Sequence, residues 1–379
     1  MRYVFWLSLA VLIYTYAGYP ALTLLLGRVM RRRVTTGGEE PSITLVIAAY
    51  NEAAVIGATI ENKLALDYPS SKLQIIVVSD GSTDDTDRIA QRYADAGVTV
   101  LRQTPRRGKT AALNMAAERA TGDLIVFADA NSMYAPDTLR MLARNFSDAS
   151  VGYVTGRLVY GGHGGSVVGV GCRAYMAYED LLRRSETSLG SIIGVNGGVD
   201  AVRRKLFSPM RDDQLPDFVL PLDVVRRGYR VVYEPDAILH ENTLTTSRAE
   251  YRMRVRVALR AWWAMADMLM LLDPRRYGLF SFQLFSHKVL RYAVFAAIPT
   301  FYAAAAALAA EGIVYQASYL FTSALLILAV VGGIAERIGY SSPVVSVPYY
   351  FILINVAAGQ ALVKFLSGKK QAVWTPRLG

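Results

Sequence analysis

Residues 4–29 are almost uninterruptedly apolar, with Trp and Tyr mixed in, and Arg31-Arg32-Arg33 follow at once. A run of that length reaches across a bilayer as a helix, because only a structure that closes its own backbone hydrogen bonds is stable in hydrocarbon. Three more apolar stretches, near 289–309, 312–334 and 343–365, have the same property. The chain must therefore combine membrane helices with whatever folds between residues 34 and 288. Composition agrees. Of 379 residues 53% are hydrophobic, and the mean hydropathy of +0.26 is high for a wholly soluble protein. No small-residue cleavage site follows a short apolar core, so the first stretch reads as an anchor rather than a removable signal. Positive-inside logic places the N-terminus outside and the next domain in the cytosol, and so predicts an integral protein of the inner or plasma membrane. Three full C-terminal crossings put the C-terminus outside, whereas Lys369, Lys370 and Arg377 favour the inside. The two arguments oppose one another.

The net charge of +10 comes from 41 Lys and Arg against 31 Asp and Glu. These cations gather beside the apolar segments, at Arg31 to Arg33, Arg252 to Arg260, Arg275-Arg276 and Lys369-Lys370, where lipid headgroups explain them. No nucleic-acid motif is present, which sets that partner aside. Cys172 is the single cysteine, and His163, His240 and His287 are dispersed. Any metal must then be held by oxygen ligands.

From Ser42 onward the pattern changes to alternating strands and helices. Ile43 to Ala49, Leu73 to Val78, Val98 to Arg102 and Leu124 to Ala128 read as buried strands. Glu52 to Leu66, Asp84 to Ala94 and Lys109 to Ala120 read as helices between them. Such alternation predicts an α/β domain with a mostly parallel sheet. Short strands near Val151 to Tyr160 and Val231 to Tyr233 extend it. Three strand ends carry acidic or amide groups, at Tyr50-Asn51-Glu52, at Asp80 to Thr86 and at Asp129-Ala130-Asn131. Their convergence suits a nucleotide, with one carboxylate for a base N–H and another oxygen for a cation on the phosphates. Turn punctuation and helix capping use the same residue types, and Thr83 or Asp84 could cap the second helix. Asp80 is not needed for that. Arg106-Arg107-Gly108-Lys109 stands at a helix N-terminus, a favourable place for phosphate, although a solvated basic turn fits as well.

Taken together, Ala49-Tyr50-Asn51-Glu52, Ser79 to Thr86, Gly108-Lys109-Thr110-Ala111-Ala112-Leu113-Asn114 and Phe127-Ala128-Asp129-Ala130-Asn131 resemble the nucleotide-binding half of family-2 glycosyltransferases of GT-A fold. The pattern is similar to the membrane-bound branch that contains hyaluronan, cellulose and poly-N-acetylglucosamine synthases, over roughly residues 40–265. The resemblance implies an inverting transferase that uses a nucleotide sugar, most often a uridine one, with a divalent cation, Mg2+ or Mn2+. By it Tyr50 and Asp80 hold the base, Ala49, Glu52 and Lys109 line the nucleotide, and Asp129 with Asn131 binds the metal. The family's second metal aspartate is Asn131 here, which tunes the metal site. Asn196-Gly197-Gly198 resembles the acceptor-side loop, though a plain glycine-rich turn fits the same residues.

Asp217 matches the catalytic base by its spacing to Leu220 and to the strand of Tyr229-Arg230-Val231, with Pro216 where the family has Glu. Asp212, Asp213 and Asp223 are rival carboxylates, and Asp217 could merely cap its helix. The QxxRW segment of processive synthases is reduced to Arg256, which the resemblance places near the leaving diphosphate. The reading divides the chain into an anchor (1–33), a cytosolic GT-A domain (40–248), interfacial helices (249–288), C-terminal spans (289–366) and a tail (367–379). The implied acceptor is a glycan or a lipid-linked molecule at the bilayer, with accessory export subunits as possible partners. The alternatives are a non-processive transferase onto a polyprenyl or glycolipid carrier, and a non-catalytic subunit that binds nucleotide sugars.

Overall fold

The computed structural model describes residues 1–161, 166–242 and 246–371. His163 and Arg377 lie outside the described residues. The chain divides into two compact units, one of Met1–Val29, Gly162–Leu182 and Thr243–Lys370, the other chiefly of Met30–Gly161 and Arg183–Asn242.

The second unit is built on an eight-stranded sheet: β1 (Ile43–Ala49), β2 (Leu73–Asp80), β3 (Val98–Gln103), β4 (Leu124–Asp129), β5 (Met133–Tyr134), β6 (Val151–Gly161), β7 (Asp200–Arg203) and β8 (Arg230–Asn242). Their spatial order is β3-β2-β1-β4-β7-β6-β8-β5. The first four are parallel. Every residue of β1 is buried, which is why it reads as one apolar run and does not alternate. Helices α1 (Ile56–Leu64), α2 (Thr86–Gln91) and α3 (Lys109–Ala117) are the crossovers between them, and α4 (Pro216–Arg226) leads into β8. Beyond β4 the sheet departs from the expected parallel pattern. β7 pairs antiparallel with both β4 and β6, β5 pairs antiparallel with β8, and only β6 and β8 are parallel there. The sheet is mixed. Strand ends from both directions are thereby brought to one edge.

The crossover helices are shorter than their apolar periodicity suggests. Residues 52–55 and 84–85 stay outside them because they close the turns after β1 and β2. Asn51 has φ of 53°, its side-chain oxygen accepts from the Thr83 amide at 2.8 Å, and the Glu52 amide donates to Thr86 Oγ1 at 2.8 Å. Asp84 is the turn acid, accepting from the amides of Ala53 at 3.1 Å and Thr86 at 3.0 Å.

Among the described residues the first unit contains four helices long and apolar enough to cross a membrane: Arg2–Met30, Leu279–Glu311, Ile313–Arg337 and Pro343–Leu366. The second apolar crossing begins earlier than residue 289, because 279–288 continues into it as helix through a π turn at Phe285–Leu290. Two part-buried arginines inside this unit are paired, as burial demands of a charge. Arg291 bonds Glu179 at 2.5 Å, and Arg254 on the helix Ser247–Asp267 bonds Glu250 at 2.8 Å and the Tyr350 hydroxyl at 2.6 Å. Val167 to Leu182, which the sequence reading places in the catalytic domain, belongs to this unit.

Backbone packing at the start of β4 gives a direct test. A β-carbon on Gly122 would lie 2.5 Å from the Thr44 amide nitrogen and 2.6 Å from the Ile43 carbonyl carbon, whereas Gly38 has open space around it. Gly122→Ala is expected to destabilise the sheet unit by about 2 kcal/mol through overpacking, and Gly38→Ala to be neutral. Thermal unfolding of the detergent-solubilised protein measures both.

Candidate active site

The site forms at the carboxyl ends of β1, β2 and β4, the usual ligand edge of an open α/β sheet. Asp129 is the last residue of β4, and Lys109 is the first residue of α3, after Gly108 with φ of 101°. Lys109 Nζ lies 2.5 Å from Asp129 Oδ1 and 4.0 Å from Asp217 Oδ1. One ammonium thus faces two carboxylates that are 88 residues apart in sequence. Burial alone would lower the Lys109 pKa, but the Asp129 and Asp217 charges outweigh it and raise it. The ammonium is fixed in its charged form.

Asp217 sits in the first turn of α4, where Leu215 is the capping residue and no side chain caps the helix. The carboxylate is therefore not spent on capping. Its rivals are tied up elsewhere: Asp212 pairs with Arg107 at 3.0 Å, Asp213 with Arg211 at 3.3 Å and Asp223 with Arg226 at 2.5 Å and Arg227 at 2.9 Å. Gly197 and Gly198 pass directly over the two acids. A β-carbon at Gly197 would collide with the Asp217 carboxylate, and one at Gly198, whose φ is +93°, would come within 3.2 Å of both Asp129 Oδ2 and Ser132 Oγ. Tyr134 Oη bridges the carbonyls of Gly198 at 2.7 Å and Phe127 at 3.0 Å, which fixes that loop to β4. Asn196 has a scaffold contact instead. Its amide nitrogen donates to the Gly156 carbonyl at 2.8 Å.

Asp80 is fully buried. It accepts from the backbone amides of Arg107 and Gly108, each at 2.9 Å, and from the Gln103 amide. These bonds pin the loop that leads to Lys109. Arg106 lies over the Tyr50 ring, 3.3 Å from its centroid, and its Nε is 3.5 Å from Asp80. Glu52 is pushed up to about 7, first by burial and then by the charges of Asp129 and Asp84. Asn131 donates its amide to Glu241 at 3.2 Å. Arg256 belongs to the helical unit, on the helix Ser247–Asp267.

Two buried groups escaped the sequence reading. Asp200, on β7, has a fully buried carboxyl that faces the Thr155 hydroxyl and the Tyr153 phenol without reaching full hydrogen-bond geometry. Burial, and next the Asp217 charge, raise it well above the ordinary range. The signal was an acid inside the apolar run Val199-Asp200-Ala201-Val202. Lys63, also fully buried, donates to the Ser132 carbonyl at 2.6 Å and lies 3.7 Å from the Tyr134 ring centre. It holds the turn after β4 from below.

The Lys109 ammonium marks a place on Asp129 where a cation is held. Among the described residues no three His, Cys, Asp or Glu side chains gather as a metal cluster. A divalent ion there would take one carboxylate, with Asn131 as the neighbouring amide oxygen, and complete its shell from phosphate and water. The donor set fits a hard cation brought with a nucleotide.

Residues 44–210 match the family model described as glycosyl transferase family 2. The chain carries a family-2 glycosyltransferase domain, and its fold is GT-A. Poly-beta-1,6-N-acetyl-D-glucosamine synthase from Staphylococcus aureus is 27% identical over 226 residues, 58% of this chain and 54% of that protein. Beta-monoglucosyldiacylglycerol synthase from Nostoc sp. is 26% identical over 287 residues, 73% of this chain and 61% of that one. The chain spans about half the length of the Staphylococcus aureus relatives it matches. A mannosyltransferase from Pyrobaculum calidifontis, solved with GDP-Man and Mn2+, superposes with a TM-score of 0.74 at 25% identity, covering 97% of this chain and 99% of that one.

The raised Glu52 pKa has a defined sign. Its stabilising protonated form is fully present below the ordinary value of 4.5 and is lost as pH rises through about 7. Glu52→Gln is therefore expected to match the wild type in thermal stability at pH 4 and to exceed it at pH 8. Equal unfolding temperatures at both pH values would contradict the burial of that charge.

Proposed function

We propose that the chain is a membrane-embedded inverting glycosyltransferase that moves a hexosyl unit from a nucleotide sugar to a polysaccharide or lipid-linked acceptor. The observation that carries this reading is the shared ammonium: Asp129 and Asp217 open onto one charged centre, beneath backbone that two glycines keep clear. A divalent cation bound through Asp129, with Asn131 beside it, supplies charge neutralisation for the departing nucleoside diphosphate. Asp217 accepts the proton of the acceptor hydroxyl, which attacks the anomeric carbon from the face opposite the diphosphate. The new C–O bond forms as the bond to the diphosphate oxygen breaks, and configuration inverts. Lys109 remains beside the leaving oxygens, where its fixed charge offsets what develops on them. Tyr50, Ala49, Glu52 and Asp80 border the donor, and Gly197 and Gly198 admit the acceptor. Arg256 is assigned to the diphosphate on the strength of the resemblance alone. In this reading the catalytic domain is cytoplasmic, where nucleotide sugars are made.

The resemblance favours a uridine donor. A guanosine donor is the second reading, because the mannosyltransferase that covers almost the whole chain was solved with GDP-Man. The acceptor divides in the same way, since one relative is named for a polysaccharide and another for a glucosyl lipid. The reduced QxxRW segment favours single addition to a lipid carrier, and the three C-terminal spans favour a synthase. Nucleoside diphosphate release from a panel of UDP- and GDP-sugars, with mass analysis of the product, separates these.

Asp217→Asn is expected to lower kcat by about 10²- to 10⁴-fold with nucleotide affinity and folding intact. Asp129→Asn is expected to weaken Mn2+ binding measured in the presence of nucleotide. Nucleotide binding without turnover of any sugar in the panel would instead favour a non-catalytic binding subunit.

A further inference from the structure

The opposite edge of the sheet holds a cavity of about 680 Å³. Its wall includes Pro41 ahead of β1, Lys72 ahead of β2, Leu124 at the start of β4 and Arg203 at the end of β7. Asp129 closes the other end of β4, about 16 Å away at the rise of an extended strand. The cavity is therefore separate from the cleft described above.

Four cations line it: Lys72, Arg203, Arg204 and Lys205. Among the described residues none of them makes an ion pair with a carboxylate. Arg203 donates to the carbonyls of Val151 at 2.7 Å, Phe146 at 2.6 Å and Asp148 at 3.1 Å. These bonds use Nε and Nη2, which leaves Nη1. Arg204 spends only Nε, on the Gly122 carbonyl at 2.7 Å, and Lys72 one proton, on the Glu40 carbonyl at 2.8 Å. Lys205 is 5.9 Å from the Tyr229 ring centre.

Three acids also line the cavity, and two are already engaged. Glu40 pairs with Arg140, and Asp123 accepts from the Ser42 amide at 3.2 Å and hydroxyl at 2.6 Å. Glu39 alone remains. Carbonyl dipoles orient the Arg203 guanidinium without neutralising it, and burial pulls it below its ordinary pKa. A fixed, half-buried fork with unspent donors suits a tetrahedral oxyanion.

We propose that this cavity binds a phosphate ester, at a site independent of sugar transfer. The ester is carried either by a dissolved metabolite or by an anionic lipid headgroup. Because Glu39 to Pro41 belong to the connection that follows the helix Arg2–Met30, an occupant would bind that connection to the base of the sheet.

The probe is inorganic pyrophosphate, titrated calorimetrically into the full chain in neutral detergent without divalent cation. Lys72→Gln/Arg204→Gln is expected to lose at least tenfold in affinity at this site with an unchanged unfolding temperature, because both side chains are exposed. Lys109→Gln, at the other edge, should retain the site. Wild type that binds no pyrophosphate, or a double variant that binds it as wild type does, overturns the proposal. Native mass spectrometry from nanodiscs containing phosphatidylglycerol then identifies the source. Lipid retained by wild type and lost from the double variant assigns a headgroup. Equal retention, with pyrophosphate binding lost only in the double variant, assigns a dissolved ester.

Discussion

The Lys109 ammonium between Asp129 and Asp217 is the contact on which the site depends. Two carboxylates brought together in a half-buried cleft repel, and one of them would have to take up a proton or move away unless a cation stood between them. A third acid, Asp200, lies just beneath, and it answers the same field by becoming hard to ionise. The site therefore holds its negative charge at the surface of the cleft, above a carboxyl that burial and the Asp217 charge make hard to ionise. In the proposed reading Asp129 would hold a divalent ion brought with a diphosphate, and that ion would supply charge neutralisation beside the Lys109 ammonium.

The scaffold exists to hold those charges within a few ångströms. Asp80 spends its carboxylate on the amides that lead into Lys109, Lys63 supports the turn after Asp129, and Tyr134 ties the Gly198 loop to β4. Each of these groups is buried, so each bond is made in a low-dielectric setting where losing it leaves an unsatisfied polar group. Antiparallel β7 is the structural reason the loop of residues 196–198 reaches Asp129. A parallel strand in that position would deliver residues 196–198 to the far edge of the sheet.

Much of this was legible in the chain itself. Apolar runs of strand length ending in Asn51, Asp80 and Asp129 placed three polar termini on one sheet edge, and the combined motifs named the fold. Asp217 was separable from Asp212, Asp213 and Asp223 only by resemblance: the Asp212 pair with Arg107 is a tertiary fact without a local pattern, and the short spacings of Asp213 to Arg211 and of Asp223 to Arg226 and Arg227 permit a pair without requiring one. The direction of β7 was hidden for a similar reason, since four residues carry no periodicity that tells parallel from antiparallel. Asp80 looked like a ligand group, and the structure gives it a second task in pinning the loop before Lys109. The turns after β1 and β2 shortened the helices because their capping partners come from each other, across some thirty residues.

The claim at the centre is that a cation on Asp129 and a base at Asp217 serve one cleft. Anomalous scattering from crystals grown with Mn2+ and a nucleoside diphosphate tests it most directly. The expected result is a manganese peak in coordination contact with the Asp129 carboxylate, the diphosphate beside it, the Lys109 ammonium withdrawn from Asp129, and Asp217 facing the same cavity. Manganese and nucleotide bound elsewhere, with the Lys109 to Asp129 pair intact, would contradict the account.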